Sequence, residues 1–295
     1  MEEWKNNTKT QQKSELQMYQ IQPAHTRPVI ALLTDFGLRD SYVGVMKGVI
    51  VTIASDAHII DITHDIEPQN IASGAWILAS SYHYFPQRTV FACVVDPGVG
   101  SARRAIAVHA GDWFFIGPDN GLFSYVLAEQ PVHAAVALTN PLYHLTQVSA
   151  TFHGRDIFAP TSAHLARGVA ISELGTPIDP ATLQHIAITL PTRQGTSVNG
   201  YIVHIDHFGN LISNIPLSLV PELFSGASGE RTGRFVFPKL GVVVDRCYRF
   251  FAEALDDGGP FVYEDSSGCV GVAVRNGSAA RMIGAGLGMA VAVSV

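Results

Sequence analysis

With 295 residues, 47% of them hydrophobic and 15% charged, the chain is long enough for one large domain or two and has ample material for buried cores. Its net charge of -6 gives no electrostatic case for nucleic acid as a partner and suits a cationic small molecule. Three widely spaced cysteines, Cys93, Cys247 and Cys269, without a CxxC pair, exclude a disulfide framework or a zinc ribbon and point to a reduced, cytoplasmic protein; no apolar run reaches the length that crosses a bilayer.

Residues 1–28 are polar and lack an apolar h-region, so a disordered tail is expected there rather than a secretory signal, with a short subunit-clasping arm as the alternative. "VIALLT" (29–34) is a continuous apolar run of the kind buried on both faces of a parallel sheet. Helical spacing over 41–54, a strand at "HIIDIT" (58–63), helical spacing over 70–85 and a strand at "TVFACVVD" (89–96) come next. Strands alternating with helices predict an α/β fold with a doubly wound, mostly parallel sheet. "AIAVHA" and "DWFFIG" flank "GD" (111–112) as a hairpin, and "FAPTSAHLARG" (158–168) reads as a helix ending at Gly168. The texture changes near residue 176, where prolines multiply and periodicity fades. An α/β domain over 29–180 is therefore expected, then a linker, then a domain over 195–295. The short β-branched runs "YIVHID", "RFVFPKLGVVV", "CVGVAVR" and "GMAVAVSV" make the latter a smaller antiparallel, barrel-like β domain.

Ligands of open parallel sheets bind beyond the carboxyl ends of the strands. Three strands run into polar clusters there: "TDFGLRD" with Asp35 and Asp40, "DITHDIEPQ" with Asp61, His64 and Asp65, and Asp96. Asp35 is either a turn carboxylate or a clamp for ribose hydroxyls. No glycine-rich phosphate motif follows a strand, which suits a nucleoside without a pyrophosphate. Asp61, His64 and Asp65 match no specific metal motif, and His64 can equally cap the segment after it. In "VVDPGVGSARR" (94–104), Pro97 keeps Asp96 extended and Gly98 and Gly100 permit a tight loop. By spacing alone, Asp96 with Arg103 and Arg104 is equally a loop braced by an ion pair or a functional site. "TFHGRDIFAP" (151–160) sets His153 at a loop-to-helix junction, with Arg155 or Asp156 bracing the helix; Asp119 and Asn120 of "PDNG" read as a turn. "DHFGN" (206–210) is a hairpin loop or a nucleobase site, where Phe208 stacks and Asn210 reads the base edge. "SSGCVGVAVRNG" (266–277) puts Ser266 and Ser267 in a turn before a strand that ends at Arg275.

In this order, "TDFGLRDSYVGVMKG", "DITHDIEPQ", "VVDPGVGSARR", "GPDNG", "TFHGRDIFAP", "DHFGNLISNI" and "SSGCVGVAVRNGSAA" resemble the adenosine-forming S-adenosyl-L-methionine hydrolases, also called S-adenosyl-L-methionine hydroxide adenosyltransferases. These are related to fluorinating and chlorinating enzymes. The resemblance runs from about residue 30 to the end. It implies an α/β domain followed by a β-barrel-like domain, a homotrimer with active sites between subunits, and hydrolysis of S-adenosyl-L-methionine to adenosine and L-methionine with no cofactor and no metal. It also implies an Asp–Arg–His set around the attacking water at Asp96, Arg103 and His153. The halogenating relatives lack that set. Substrate contacts carried over in the same way are Asp35 for the ribose hydroxyls, Asp206 for the methionine ammonium, Phe208 and Asn210 for adenine, Ser267 for the amino-acid end, and Asp40, Gln69 and Arg275. Relatives often carry Tyr where Cys269 stands and Glu where Gly271 stands, a loss of bulk and charge on a substrate-facing strand. The readings that compete are a halide-dependent adenosyltransferase, a non-catalytic nucleoside-binding protein, and a metal-dependent hydrolase built on Asp35, Asp61, His64 and Asp96. Neither nucleic acid nor membrane is expected as a partner.

Overall fold

A computed structural model describes residues 27–225 and 233–295, so nearly all of the expected tail lies outside the described residues. The chain divides into two compact units after Ile188.

In the first unit, β1 (Val29–Thr34) is buried in five of its six residues because helices cover both faces. The alternation of strand side chains sorts them between two cores. Ile30 and Leu32 meet Met46 and Ile50 of α1 (Tyr42–Ile53) on one side. Ala31 and Leu33 meet the other side, formed after β2 (His58–Thr63) by Ala75 and Leu78 of α2 (Ile71–Ser81). Next come β3 (Val90–Val94), β4 (Ala105–Ala110), β5 (Trp113–Pro118), α3 (Ser124–Glu129), β6 (Val132–Ala137), α4 (Ala159–Ala166) and β7 (Thr176–Pro177). The seven strands lie in the order β2-β1-β3-β5-β4-β6-β7.

The sheet is mixed rather than mostly parallel. It is parallel from β2 through β1 and β3 to β5, and antiparallel from β5 to β7. The cause is the hairpin at "GD": Gly111, at φ +55°, reverses the chain, so β4 must run against β5. The ladder of β3 stops at Val94, two residues short of the expected end; the Val95 carbonyl accepts instead from the Asn120 side chain at 2.8 Å.

The proline-bearing stretch after residue 176 stays with the first unit through particular hydrogen bonds. Ile178 N–H donates to the Ala135 carbonyl, and Ile186 N–H to Ser124 Oγ at 2.9 Å. Asp119, 5% exposed, accepts from Arg104 Nε at 2.7 Å and from Gln184 N–H at 2.8 Å, while Arg104 also reaches Thr182. Asp119 therefore does more than shape a turn, and Arg104 is a structural staple.

In the second unit, β8 (Thr192–Gln194), β9 (Ser197–Ile205), β10 (Leu211–Pro216), β11 (Arg234–Phe237), β12 (Val242–Val244), β13 (Pro260–Glu264), β14 (Cys269–Val274), the short α5 (Ala279–Ile283) and β15 (Ala290–Ser294) form one antiparallel sheet. Its order is β12-β11-β15-β9-β10-β14-β13, with β8 beside β9. The segment after β12 returns to β13: Val262 exchanges hydrogen bonds with Arg246 and Tyr248, and Cys247 bridges Val262. The sheet is thereby nearly closed, which protects its edges. Val262, Val270, Val272, Leu211 and Ile202 fill the interior.

Replacing Asp119 by alanine leaves Arg104 without its carboxylate and strands the Gln184 amide. Because Arg104 is a third exposed, the expected cost is about 2 kcal/mol, below that of a fully buried pair, or a melting temperature lower by roughly 4–8 °C. Thermal unfolding of Asp119→Ala measures this; an unchanged midpoint contradicts the staple.

Candidate active site

The two stretches that the sequence singled out, 94–104 and 151–160, meet at one point. Gly100, at φ +78°, lies so close to the 150s that a Cβ there would collide with the Ala150 carbonyl oxygen. Only glycine permits both that backbone angle and that approach. The loop then presents Arg103 between two partners. Its Nε donates to Asp96 Oδ1 at 3.0 Å, and its Nη2 donates both to Asp96 Oδ2 and, at 2.9 Å, to His153 Nδ1. The side chains of Arg103 and Asp96 are only 10% and 5% exposed, and the guanidinium lies over the Phe158 ring, 5.4 Å from its centre. A bidentate pair stacked on an aromatic ring has one orientation, where a lysine would have many.

This contact fixes the chemistry of His153. A guanidinium donates and never accepts, so His153 Nδ1 must carry a lone pair and a neutral ring bears its proton on Nε2. Burial, and then the positive charge of Arg103, lower the His153 pKa from its ordinary value; Asp96, Asp156 and the Ser149 backbone pull the other way and do not prevail. His153 is thus a neutral imidazole at neutral pH.

A short turn on its C-terminal side aims the ring. Gly154–Phe158 forms a π-helical turn ahead of α4, a geometry frequent at functional sites. Gly154 is closely packed: a Cβ there would stand 3.2–3.3 Å from the side chains of Met46, Phe152 and Phe36, so these would have to give way. Asp156 is fully buried and braces the junction: it accepts from Ser149 N–H at 2.8 Å and from Arg155 Nε at 2.5 Å. Burial works against its charge, but Arg155 and the Ser149 amide hold it below the usual carboxylate range.

Asp35 and Gln69 come together on the same sheet edge. β1 and β3 are adjacent and in register at Thr34 and Val94, so Asp35 and Asp96 leave neighbouring strand ends. Asp35 Oδ2 accepts from Gln69 N–H at 2.8 Å, and Gln69 adopts φ +69°, a left-handed angle that a non-glycine residue seldom takes. Asp40 is exposed on the turn before α1. Asp61 and His64 are occupied elsewhere: buried His64 meets Thr34 Oγ1 at 2.8 Å and Asp61 at 3.0 Å, and Asp61 pairs with Lys47 at 2.6 Å. Those donors do not converge with Asp35 and Asp96 on a metal, and among the described residues no group of three or more His, Cys, Asp or Glu side chains is placed to hold one.

In the second unit, the "DHFGN" loop joins β9 to β10. Asp206 organises it, accepting from Phe208 N–H at 3.0 Å, Asn210 N–H at 2.8 Å and Asn210 Nδ2 at 2.7 Å. Asn210 is buried, whereas Phe208 is 72% exposed. Gly209 abuts Ser278, and its carbonyl accepts from Ala280 N–H at the start of α5. Ser267 lies in the β13–β14 turn and donates its hydroxyl to Asp265 Oδ1 at 2.5 Å. Arg275 donates to the Ala254 carbonyl at 2.7 Å. Asp265 went unrecognised in the sequence because its importance lies in three donors, Ser267 N–H, Ser267 Oγ and Cys269 N–H, gathered on one oxygen.

A mixed α/β unit with a buried carboxylate–guanidinium pair set against a half-buried imidazole, followed by a nearly closed β unit with polar turns, describes a two-part enzyme scaffold. Residues 30–175 match the SAM hydroxide adenosyltransferase N-terminal domain, and residues 200–292 match the corresponding C-terminal domain. The chain belongs to that family. It is 38% identical over 258 residues to an (R)-S-adenosyl-L-methionine hydrolase of Salinispora tropica, covering 87% of this chain and 94% of that protein. A protein of the same name from Thermus thermophilus is 37% identical over 272 residues, covering 90% and 98%. A fluorinase of an Actinoplanes species is more distant, at 29% identity over 283 residues, covering 85% and 92%. A crystal structure of an uncharacterized conserved protein from Thermotoga maritima superposes with a TM-score of 0.84 at 34% identity, covering 90% of this chain and all of that one.

A neutral His153 ring is required to accept from Arg103. Its folded-state pKa is lowered, so the contact survives acidification through the ordinary histidine value of about 6.5 and is lost only below it. The acidic limb of kcat/KM is therefore expected at a midpoint below that value. A midpoint above it, read from a pH–rate profile, contradicts the assignment.

Proposed function

We propose that the protein hydrolyses S-adenosyl-L-methionine to adenosine and L-methionine, with Asp96, Arg103 and His153 holding the attacking water. The observation that carries this reading is the part-buried Asp96–Arg103–His153 contact in a chain of the hydroxide adenosyltransferase family. The water oxygen bonds to the ribose 5′ carbon as the C5′–S bond breaks. The electron pair of that bond stays on sulfur and cancels the sulfonium charge, so the leaving group is a neutral thioether and needs no acid. The work left to the protein is to position water and to accept a proton.

The hydrogen bonds divide those tasks. His153 Nδ1 is occupied by Arg103, and on this tautomer Nε2 is a donor, so the imidazole orients the water rather than deprotonating it. Each oxygen of Asp96 keeps a second lone pair beyond the bond to Arg103, which makes Asp96 the proton acceptor. Arg103 favours hydroxide character in the water by its charge, more strongly in a buried setting than in bulk solvent. Asp35 takes the ribose hydroxyls, with Asp40 and Gln69 beside it. Phe208 and Asn210 meet adenine, Asp206 and Ser267 the amino-acid end, and Arg275 is a further substrate contact. No cofactor or metal enters this scheme.

Residues of both units act on one substrate under this reading if the protein is a homotrimer whose sites lie between subunits, as the family resemblance suggests; light scattering on the purified protein tests it. A cytoplasmic location is supported by the three buried free cysteines. No described helix is long and apolar enough to cross a membrane.

Incubation of the two sulfonium epimers of S-adenosyl-L-methionine with the protein, in water enriched in heavy oxygen and with or without chloride, is expected to yield adenosine labelled at the 5′ hydroxyl and no chlorinated nucleoside. Unlabelled adenosine, or a halogenated product, overturns the proposal. Arg103→Lys keeps the charge and loses the bidentate geometry. It and His153→Ala are expected to lower kcat by about 10²–10⁴-fold with KM changed far less. A loss confined to KM contradicts the assigned roles.

A further inference from the structure

The face of the second unit's sheet turned away from its core carries a packed row of side chains that none of these assignments explains. Register places Tyr263, Gly271, Ile212 and His204 in one row across β13, β14, β10 and β9. Their neighbours Val262, Val270, Val272 and Leu211 fill the barrel interior, so this row faces outward. Small residues, Cys269, Gly271 and Ala273, run along β14 on that face. A Cβ on Gly271 would stand 2.8 Å from Tyr263 Cε1 and 3.2 Å from Cζ. The Tyr263 ring therefore lies over Gly271 and restores the bulk that Gly271 lacks.

The ring is 6% exposed, yet its hydroxyl makes no hydrogen bond among the described residues. It stands between two turns, with Asp206 toward one end and Asp265 and Ser267 toward the other. Burial, then the carboxylates of Asp265 and Asp206, push the phenol pKa up, so the hydroxyl remains a protonated donor. The assigned neighbours supply the opposite character. Asp206 is a carboxylate, and Ser267 has spent its proton on Asp265. Acceptors of that kind suit the ammonium of an amino acid, but its carboxylate requires a donor.

We propose that Tyr263 is a specificity-determining residue whose hydroxyl donates to the α-carboxylate of S-adenosyl-L-methionine, beside the ammonium held at Asp206. This rests on the reading of the amino-acid end given above. Tyr263→Phe keeps the ring over Gly271 and removes only the donor, so the fold is expected to survive with an unchanged melting temperature.

Calorimetric dissociation constants separate the possibilities, using S-adenosyl-L-methionine and its decarboxylated analogue, which retains the sulfonium and the ammonium. Tyr263→Phe is expected to weaken binding of S-adenosyl-L-methionine about tenfold, as for a hydrogen bond to a charged group, and to change binding of the analogue by less than about twofold on the same reasoning. Unchanged affinity for S-adenosyl-L-methionine, or equal losses for both compounds, overturns the assignment. Binding does not depend on turnover: a wild-type protein that binds S-adenosyl-L-methionine and releases no adenosine defeats the hydrolase reading alone. One that does not bind it defeats both.

Discussion

The position of the Arg103 guanidinium, shared between the Asp96 carboxylate and a histidine nitrogen, governs the rest of the site. A buried cation needs a counter-charge, and Asp96 supplies it in bidentate form. The remaining N–H then has a fixed direction, and His153 Nδ1 is the acceptor it finds. This constraint fixes the tautomer of the neutral ring and, with burial, favours its neutral form; the proposed transfer of the proton to Asp96 rests on it.

Much of the first unit serves to keep that contact possible. β1 and β3 run side by side, so Asp35 and Asp96 leave the sheet at one edge. Gly100 lets the loop touch Ala150, the π-helical turn directs His153, and Phe158 forms the platform beneath the guanidinium. Arg104, adjacent to Arg103, binds Asp119 and Thr182 instead and fastens the stretch that leads out of the unit. The two neighbouring arginines thus take separate partners, Asp96 and His153 for one and Asp119 and Thr182 for the other.

The strands at 29–34 and 58–63 are legible to the residue, because an apolar run bounded by turn residues has few alternative structures. The hairpin at Gly111 is legible too, but its consequence, an antiparallel half of the sheet, requires knowing that β5 inserts beside β3. β13 opens on a proline and α3 has only six residues, so neither carries a clear period. Spacing alone leaves Asp96 and Arg103 divided between a brace and a site; the family resemblance joins them to His153, 50 residues beyond Arg103. Tyr263 has no local signal at all. Its place depends on the absence of a side chain at Gly271, which only the pairing of β13 with β14 brings opposite it. Asp61 and His64 show the reverse case, a suggestive cluster that is spent on Lys47 and Thr34.

The state of the His153 ring tests the account most directly. Nitrogen-15 NMR of histidine-labelled protein reports both the tautomer and the pKa. At pH 7 the ring is expected to be neutral, with an unprotonated Nδ1 and a proton on Nε2, and to titrate below the ordinary histidine value. A ring protonated at pH 7, or one carrying its proton on Nδ1, would contradict the contact with Arg103 on which the proposed chemistry stands.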